Sequence, residues 1–304
     1  MAASNTVRTK VDGHVLQLSN LDKVLYPDTG FTKGEVIDYY MRVSPHLLPH
    51  LADRPLTRKR WPDGVESQPF FEKNAPRGTP NWVRTVLVPS PGSTRGSEEV
   101  NYIVANDLAT LVWLANLAAL ELHIFQWQVG PRGGLKEPDL LVIDLDPGPP
   151  ANVVDCCKVA LLLRDLFAED DLVAWAKTSG SKGMQLYVPI EPTASQQTSA
   201  YAKELAERLA RDHPKLVVAK MTKQIRPGKV FLDWSQNNSA KTTVAPYSLR
   251  GKNAPTVSTP VTWEEVEACR KVADLTFRTD DVLDRVEEFG DLFAELRSLR
   301  QPFP

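Results

Sequence analysis

The stretch LLVIDLDPG (residues 140–148) is an apolar run that ends in two aspartates and a Pro-Gly pair. Four consecutive apolar residues are typical of a buried strand, and residues two apart on a strand point to the same side. Asp144 and Asp146 therefore leave the sheet together. Two such carboxylates repel each other unless a cation lies between them, and oxygen ligands suit Mg²⁺ or Mn²⁺. The same letters also fit a strand that stops at an Asx-type turn, so this stretch alone leaves both interpretations open.

The composition is that of an ordinary globular protein. The chain has 304 residues, a length that suits one large domain or two domains of usual size. Of these residues, 42% are hydrophobic and 24% are charged. The formal net charge of −2 argues against a protein that coats nucleic acid indiscriminately, although a local basic groove is compatible with that total. The positions of the Lys and Arg residues therefore matter more than their number.

Nothing in the sequence indicates secretion or a membrane partner. The three cysteines, Cys156, Cys157 and Cys269, show no Cys-x-x-Cys spacing and no neighbouring histidine, which argues against a zinc site or a disulfide framework. The first ten residues lack the apolar segment of a signal peptide, and no apolar run is long enough to span a bilayer. We therefore expect a reduced, cytoplasmic protein.

Near the N-terminus, Asp12-Gly13 between β-forming residues predicts a hairpin. The letters KVDG (residues 10–13) also imitate the Lys-x-Asp-Gly motif that carries the nucleophile of DNA ligases. The arginine usual shortly after that glycine is replaced by Val15, and no later ligase motif follows. The hairpin is therefore the favoured interpretation.

A helix is predicted to begin after Thr32, because Thr32 and Glu35 form a capping box and apolar residues then recur at helical spacing. Lys33 falls in the first turn, where the helix dipole disfavours a cation unless an anion is bound nearby. Lys23 could approach the same point. Each lysine, taken singly, is also compatible with an ordinary solvated surface residue.

Basic and aromatic residues interleave between residues 58 and 73. This pattern suits a nucleic-acid strand, since Lys59 and Arg60 offer charge to phosphates. Phe70 and Phe71 offer ring faces to bases. Alternatively, the phenylalanines fill the core while the charges face water, although adjacent residues of a strand cannot both point inward. Both interpretations stay open at this point.

The middle of the chain predicts alternating helices and strands. Apolar spacing predicts core helices over about residues 106–122 and 151–167, and strands over 172–177 and 184–190. The turn between these strands, TSGSKG (residues 178–183), offers hydroxyl and amide donors and one lysine to phosphate oxygens. It lacks the spacing of a Walker loop and also fits a plain hairpin connection.

A further strand is predicted over residues 229–234, where Asp233 supplies a third carboxylate near several basic residues, Arg226 among them. Two-metal sites often take such an oxygen ligand from a distant strand. From Thr262 onward, a second capping box with Glu265 predicts C-terminal helices, in which no catalytic signature is visible.

Taken together, these segments resemble the bacterial archaeo-eukaryotic primase superfamily. Within it they resemble the polymerase domain of the end-joining ligase D, and most of all its stand-alone primase-polymerase relatives of the Prim-PolC type. The matching segments run in family order over nearly the whole chain. They are NLDKVLYP (20–27), TRKRWP (57–62), FFEK (70–73), DLDPG (144–148), TSGSKG (178–183), FLDWSQN (231–237) and APYSLRG (245–251).

The resemblance implies an α/β fold of the α+β kind, in which two sheets flank a central active-site cleft and helices surround them. It implies a single domain over residues 1–304, with DNA-end elements in 1–105, a catalytic core in 106–260 and C-terminal helices in 261–304. The implied activity is template-dependent addition of nucleotides, often ribonucleotides, to a 3′ hydroxyl at a short gap or break, with Mn²⁺ or Mg²⁺ as cofactor.

The resemblance also implies roles for individual residues. Three carboxylates would hold two metal ions: Asp144, Asp146 and Asp233. Four polar residues fall on positions that bind the nucleoside triphosphate: His123, Ser179, Lys182 and Arg226. Three residues match a pocket for the 5′ phosphate on the far side of a gap: Asn20, Lys23 and Lys33. Two rings match residues that stack on the template: Phe70 and Phe71.

Two departures from the family pattern bear on function. In the pattern Ser-Gly-Ser-Lys-Gly-x-His, Gln185 replaces the histidine, and glutamine can donate a hydrogen bond but cannot become cationic. This replacement bears on metal and sugar preference near the nucleotide. The chain also shows no ligase or phosphoesterase module, which favours a stand-alone, monomeric enzyme of gap repair. An end-joining polymerase that works with Ku and a separate ligase is the alternative.

The sequence therefore predicts a metal-dependent polymerase or primase that acts on gapped or broken DNA carrying a 5′ phosphate. Two alternatives come from other classes. A nuclease is possible because the same carboxylates can activate water, and a catalytically inactive module could simply bind DNA ends. The presence of all three carboxylates argues against the inactive module.

Overall fold

A computed structural model of the chain describes residues 6–90 and 98–304. The helices are α1 Lys33–Leu51, α2 Leu108–Asn116, α3 Val153–Glu169, α4 Ser195–Asp212, α5 Trp263–Ala268 and α6 Thr279–Phe289. The strands are β1 Thr6–Val11, β2 His14–Ser19, β3 Val24–Tyr26, β4 Phe31–Thr32, β5 Pro55–Arg60, β6 Phe70–Glu72, β7 Thr85–Pro89, β8 Glu99–Val104, β9 Ala119–Ile124, β10 Leu140–Pro147, β11 Trp175–Thr178, β12 Met184–Pro189, β13 Val217–Val218, β14 Val230–Asp233, β15 Thr243–Val244 and β16 Pro260–Val261. Short 3-10 helices cover Pro27–Thr29, Lys223–Ile225, Trp234–Asn237, Val272–Leu275 and Ala294–Arg297.

Most of these strands belong to two six-stranded sheets. Sheet I has the order β13-β14-β10-β12-β11-β16 and is antiparallel except for the β13-β14 pair. Sheet II has the order β15-β9-β5-β8-β7, with β6 also paired to β5, and is antiparallel. The arrangement agrees with the predicted α+β fold built on two sheets.

Each sheet has its own hydrophobic core. In sheet I, Leu141, Ile143 and Leu145 of β10 pack with α3 and α4, so the alternate residues Asp144 and Asp146 point to the other face. Sheet II packs on α1, α2 and α6. In the part of the chain that the structure describes, no helix is both long and apolar enough to cross a membrane.

Predictions that depend on local signals are confirmed. The chain turns between β1 and β2 at Asp12 and Gly13, which both have positive φ (46° and 83°). Lys10 is exposed on this hairpin, a position unlike that of a buried ligase nucleophile. Both capping boxes are present, at the starts of α1 and α5.

The predicted helix over residues 106–122 is wrong in its second half. Helix α2 ends at Asn116, Ala118 takes a left-handed φ of 57°, and the chain continues as β9. Strand β9 lies inside sheet II and all but one of its residues are buried, and its residues Leu122 and Ala119 also continue the helical spacing of α2, which hid the alternation of Leu120, Leu122 and Ile124.

Two strand ends also differ from the prediction. The strand predicted over residues 172–177 begins only at Trp175, because the backbone N–H and carbonyl of Val173 bond to the side chain of Gln301. Trp234, predicted to end a strand, instead begins a 3-10 helix directly after β14.

One side chain completes sheet I where a strand is missing. Strand β14 pairs with β10 only from Asp144 to Pro147. Further along the same edge, Asn237 Oδ1 accepts a hydrogen bond from the Val142 N–H (2.9 Å), and Asn237 Nδ2 donates to the Val142 carbonyl (2.7 Å). Asn237 is buried, so its amide group takes the place of a neighbouring strand.

We expect Asn237→Ala to lower the free energy of unfolding by about 3 kcal/mol, because two buried backbone groups of Val142 lose their partners. Urea denaturation followed by circular dichroism measures this change. Asn253→Ala, at an exposed position, is the matched control and should change stability by less than about 0.5 kcal/mol. Equal stability of the two variants would show that the Asn237 amide does not support the sheet.

Candidate functional site

An open cleft of about 340 Å³ lies between the two sheets. Sheet I contributes Asp144, Asp146 and Gln185, and sheet II contributes His123 and Val244. The turn between β11 and β12 adds Ser179 and Lys182. The cleft thus collects two of the three predicted carboxylates and most of the predicted triphosphate-binding residues.

The third carboxylate, Asp233, lies directly opposite Asp144 across the β10-β14 pair. Like charges in this position destabilise a sheet. Burial raises the pKa of Asp144 to about 6, assisted by the charges of Asp233 and Asp146 and opposed by a hydrogen bond from Gln185. Two neighbours stabilise Asp233, since Ser235 Oγ and Gln236 Nε2 donate to its carboxylate at 2.5 and 2.7 Å.

Asp146 is held by cations. Lys182 Nζ lies 2.9 Å from one carboxylate oxygen, and an Arg226 terminal nitrogen lies 3.7 Å from the other. The Arg226 guanidinium also stacks on the Phe231 ring at 3.6 Å. Within residues 6–90 and 98–304, no three His, Cys, Asp or Glu side chains meet in an arrangement that could hold a metal ion. The structure therefore pairs Asp144 with Asp233 and turns Asp146 toward its basic neighbours.

A row of polar side chains crosses four strands of sheet I: Lys177, Gln185, Asp144 and Asp233. Gln185 Nε2 donates to Asp144 Oδ1 at 3.0 Å, while Gln185 Oε1 is buried without a partner. Lys177 is fully buried and donates to Ser258 Oγ at 2.5 Å. Burial and the charge of Arg250 lower the pKa of Lys177 well below its usual value.

The turn after β11 is tight and depends on glycine. Ser179 Oγ accepts from the N–H groups of Ser181 and Gly183 at 3.3 and 3.2 Å. Gly180 has a φ of 65°, and a Cβ atom there would lie 2.6 Å from the Val257 carbonyl carbon. This packing holds Ser179 and Lys182 beside the end of β10.

Glu121 of β9 is a buried carboxylate at the edge of the cleft. Its oxygens lie 2.9 Å from His123 Nε2, 3.2 Å from Arg250 Nε and 3.8 Å from Lys59 Nζ. Burial raises the pKa of Glu121, but the hydrogen bond from His123 and the charges of Arg250 and Lys59 outweigh it, so this pKa lies well below its usual value. Arg250 also donates to the Ser179 carbonyl at 2.5 Å, which joins the two walls of the cleft.

The basic and aromatic residues of β5 and β6 divide between the two faces of sheet II. Lys59 is directly opposite Phe71 and Arg60 is opposite Phe70, and opposite residues share a face. Lys59 and Phe71 lie on the face of Glu121, whereas Arg60 bonds to Glu72 and to the end of α2. The two rings are 54% and 51% exposed, so the alternative that they fill the core is wrong.

The predicted phosphate-pocket residues lie together at the start of α1. Lys33 is buried and its Nζ donates to the Ser19 carbonyl at 2.6 Å, so the solvated alternative is wrong for this residue. Burial, with the charges of Lys23 and Arg60, lowers the pKa of Lys33 to about 8. Lys23 is partly exposed and pairs with Asp63 at 2.9 Å.

The turn that begins at Asn20 covers the N-terminus of α1. The Lys33 and Gly34 N–H groups donate to the carbonyls of Lys23 and Leu21, both at 2.8 Å. The first N–H groups of the helix are therefore already bonded, and positive charge here comes from side chains alone.

A family model described as the primase-polymerase domain of LigD matches residues 32–293 of this chain. The chain belongs to the LigD primase-polymerase domain family. It is 46% identical over 284 residues to the multifunctional non-homologous end joining protein LigD of Mycolicibacterium smegmatis. This alignment covers 92% of this chain and 36% of that protein. It is 34% identical to the bifunctional LigD of Bacillus subtilis, with 92% and 44% covered.

A solved structure of the same family is also similar. The polymerase domain of Mycobacterium tuberculosis ligase D, in complex with DNA, matches with a TM-score of 0.86 and 43% identity, covering 93% of this chain and 98% of that one. The chain spans less than half the length of the two curated LigD relatives named above. The predicted fold and the predicted membership of the primase-polymerase family are confirmed, and this family is one of metal-dependent nucleotidyltransferases. The nuclease and the inactive end-binding module are not favoured.

Sequence reasoning missed Glu121 and Arg250. Arg250 lies in the segment APYSLRG, one of those that carry the family resemblance, but the resemblance assigns no role to this residue. Glu121 lay inside a predicted helix and therefore looked like one polar residue among apolar neighbours. The alternation Glu121-Leu122-His123, polar on one side and apolar on the other, is the signal of a strand that could have revealed it.

We expect Glu121→Gln to lower the pKa of His123 further, because burial, Arg250 and Lys59 already lower it and Glu121 is the group that raises it. The variant should also lose about 3 kcal/mol of unfolding free energy, since buried positive charges lose their partner. NMR titration of the His123 ring measures the first effect. Glu66→Gln, at an exposed position, is the control. An unchanged His123 pKa would show that the charge of Glu121 does not act on His123.

Proposed function

We propose that this protein adds nucleotides, preferentially ribonucleotides, to a 3′ hydroxyl at short gaps or breaks in DNA that carry a 5′ phosphate. The observation that supports this most directly is the pairing of Asp144 with Asp233 in a cleft whose other residues are predominantly cationic or hydrogen-bonding groups. Family membership supports the reaction class.

The proposed metal ligands are Asp144, Asp146 and Asp233. Their oxygen donors and their mutual repulsion suit a hard divalent cation, and we propose Mn²⁺ or Mg²⁺. When bound, such ions would activate the 3′ oxygen and stabilise the charge of the triphosphate. Gln185, which stands in place of the family histidine, orients Asp144 through its amide group.

The proposed triphosphate site combines residues from both walls of the cleft: His123, Ser179, Lys182 and Arg226. Lys182 and Arg226 face Asp146 in this structure, and a triphosphate offers both of them stronger acceptors. His123 is oriented by Glu121, and the Ser179 hydroxyl lies in the tight turn. Lys182, Arg226 and Ser179 would thus hold the nucleotide from the side of sheet I, and His123 from the side of sheet II.

The proposed DNA contacts lie on both faces of sheet II. Asn20, Lys23 and Lys33 would bind the 5′ phosphate across the gap, since Lys33 lies close enough to Lys23 and Arg60 for their charges to lower its pKa. Four further residues would bind the template: Lys59, Arg60, Phe70 and Phe71. Of these, Phe71 and Lys59 share the face of the cleft, and they are therefore the pair best placed beside the templating base.

We assign the protein to gap repair in the bacterial cytoplasm, acting at the nucleoid as a monomer, with residues 1–304 forming one catalytic domain. An end-joining role with Ku and a DNA ligase is the second candidate, and the end-joining relatives favour testing it. Primer extension on gaps of several lengths, with and without purified Ku, distinguishes the two roles. Extension that is efficient on short gaps without Ku supports gap repair, and a strict requirement for Ku contradicts it.

We expect Asp144→Asn to abolish nucleotide addition while DNA binding persists, because the variant keeps the hydrogen bond to Gln185 and loses the charge that would hold a metal ion. In EDTA the same variant should be more stable by about 1 kcal/mol, since the opposed charges of β10 and β14 are relieved. Primer extension and urea denaturation measure the two effects.

The matched control for this substitution is Asp165→Asn, whose side chain is 74% exposed on α3. It should change neither property. Full nucleotide addition by Asp144→Asn would reject the metal assignment.

We expect the preference for 5′-phosphorylated gaps to decrease by about tenfold between about pH 7 and pH 9. Lys33 is charged below its pKa of about 8 and neutral above it, while the phosphate stays dianionic over this range. The ratio of dissociation constants for phosphorylated and unphosphorylated gaps, measured by fluorescence anisotropy, reports this change.

Lys33→Gln should make that ratio independent of pH and remove most of the preference. Lys10→Gln, at an exposed lysine of β1, should behave like the parent protein. The same pH profile in Lys33→Gln and in the parent would assign the titrating group elsewhere.

A further inference from the structure

A second pocket, of about 390 Å³, lies beside the catalytic cleft and has no role in the function proposed above. Three aromatic residues line it: Tyr102 of β8, and Phe125 and Trp127 after β9. The Phe125 and Trp127 rings stack at 4.3 Å, and the Tyr102 ring meets Phe125 edge-on at 5.3 Å. We call this the aromatic pocket.

The aromatic pocket opens on the same face of sheet II as the cleft. Ile103 belongs to the core beneath α1 and α2, so its neighbour Tyr102 points to the opposite face, where His123 also lies. The segment between residues 236 and 244 borders both cavities. Gln236 and Thr243 line the cleft, whereas Ser239 lines the aromatic pocket and accepts a hydrogen bond from Trp127 Nε1 at 2.9 Å. A nucleic-acid strand bound in the cleft can therefore extend into the aromatic pocket.

The hydroxyl group of Tyr102 has no hydrogen-bond partner among the described residues, although this residue is only 4% exposed. Burial raises its pKa to about 12, so the hydroxyl keeps its proton at neutral pH. This oxygen is not among the fully buried polar atoms that lack a partner, so it is accessible from the pocket, where a ligand with a polar edge would form a hydrogen bond to it.

Two lysines lie at the pocket, Lys73 and Lys136. Within the described ranges neither ammonium group forms a salt bridge, and Glu137 also borders the pocket. Lys73 follows Phe71 by two residues along the chain that leaves β6. The pocket therefore combines aromatic walls, the Tyr102 hydroxyl and positive charge from two lysines.

We propose that the aromatic pocket binds one unpaired nucleobase together with the phosphate attached to it. Aromatic side chains accept bases of any sequence, and lysine recognises phosphate as a point charge. A base of a bound template strand is the occupant favoured by the shared wall with the cleft, and in that form the inference rests on the proposed function. A free mononucleotide offers the same chemistry and is distinguished by the test.

The test scans single abasic sites along the template strand of a gapped DNA and measures affinity by fluorescence anisotropy, without metal or nucleotide. One position should weaken binding to the parent protein by about tenfold. In Leu135→Trp, which fills the pocket from its 51%-exposed rim, that position should no longer matter. In Tyr102→Phe, which keeps the ring but lacks the hydroxyl, the loss of affinity caused by that abasic site should be about threefold smaller than in the parent protein.

Leu87→Trp is the matched control, because Leu87 is 59% exposed and lies on the opposite face of β7 from Val86 and Val88, which pack with Tyr102. It should retain the position-specific loss. Calorimetry with adenosine monophosphate on the DNA-free protein tests whether a free mononucleotide occupies the pocket. Binding that is present in the parent protein and absent in Leu135→Trp supports this occupant. Absence of both signals, or an abasic effect unchanged in Leu135→Trp, overturns the inference. Primer extension by the parent protein is measured separately, so that failure of the proposed polymerase function can be distinguished from failure of the aromatic pocket to bind a base.

Discussion

The ion pair between Glu121 and Arg250 joins the two sheets at the cleft. Glu121 belongs to sheet II, and Arg250 reaches from it to the carbonyl of Ser179 at the end of sheet I. The same carboxylate orients His123 and neutralises Lys59. Because a buried carboxylate is unfavourable without partners, each of these contacts supports the others. The charge of Glu121, which the solvent barely reaches, therefore contributes to holding the walls of the cleft together.

Charge is distributed unevenly within the cleft. Asp144 and Asp233 lie directly opposite each other, while Asp146 faces both Lys182 and Arg226. A ligand that brings a cation to the first pair and an anion to the two basic residues would relieve both imbalances. Binding of such a ligand stabilises the folded protein in proportion to its affinity. The charges of the cleft thus favour its ligand-bound form, as expected for a site selected for function.

The parts of the site that follow from short-range patterns could be predicted from sequence. Asp144 and Asp146 share a face because strand geometry repeats every two residues, and the capping box at Thr32 depends on three neighbouring positions. Asp233 could be proposed as a third carboxylate from its strand pattern, but its place directly opposite Asp144 could not be predicted, because it depends on the pairing of segments 89 residues apart.

Other features could not be read from local sequence. Strand β9 is buried on both sides, and its short alternation directly follows the apolar residues of α2, so helical spacing extends across both elements. Burial of Lys33 depends on the turn from Asn20 that covers the helix, and lysines are seldom buried, so surface exposure was the ordinary expectation. The cross-sheet contact of Arg250 depends on tertiary structure alone.

The short strand β6 places two identical side chains in different surroundings. Phe71 lies with Lys59 on the side of Glu121, and Phe70 lies with Arg60, whose charge acts on Lys33. Since adjacent side chains of a strand point in opposite directions, the two rings cannot stack on one base pair. The Phe-Phe pair is therefore a boundary between two surfaces of the protein, and a molecule in contact with both rings has to pass around the edge of the sheet.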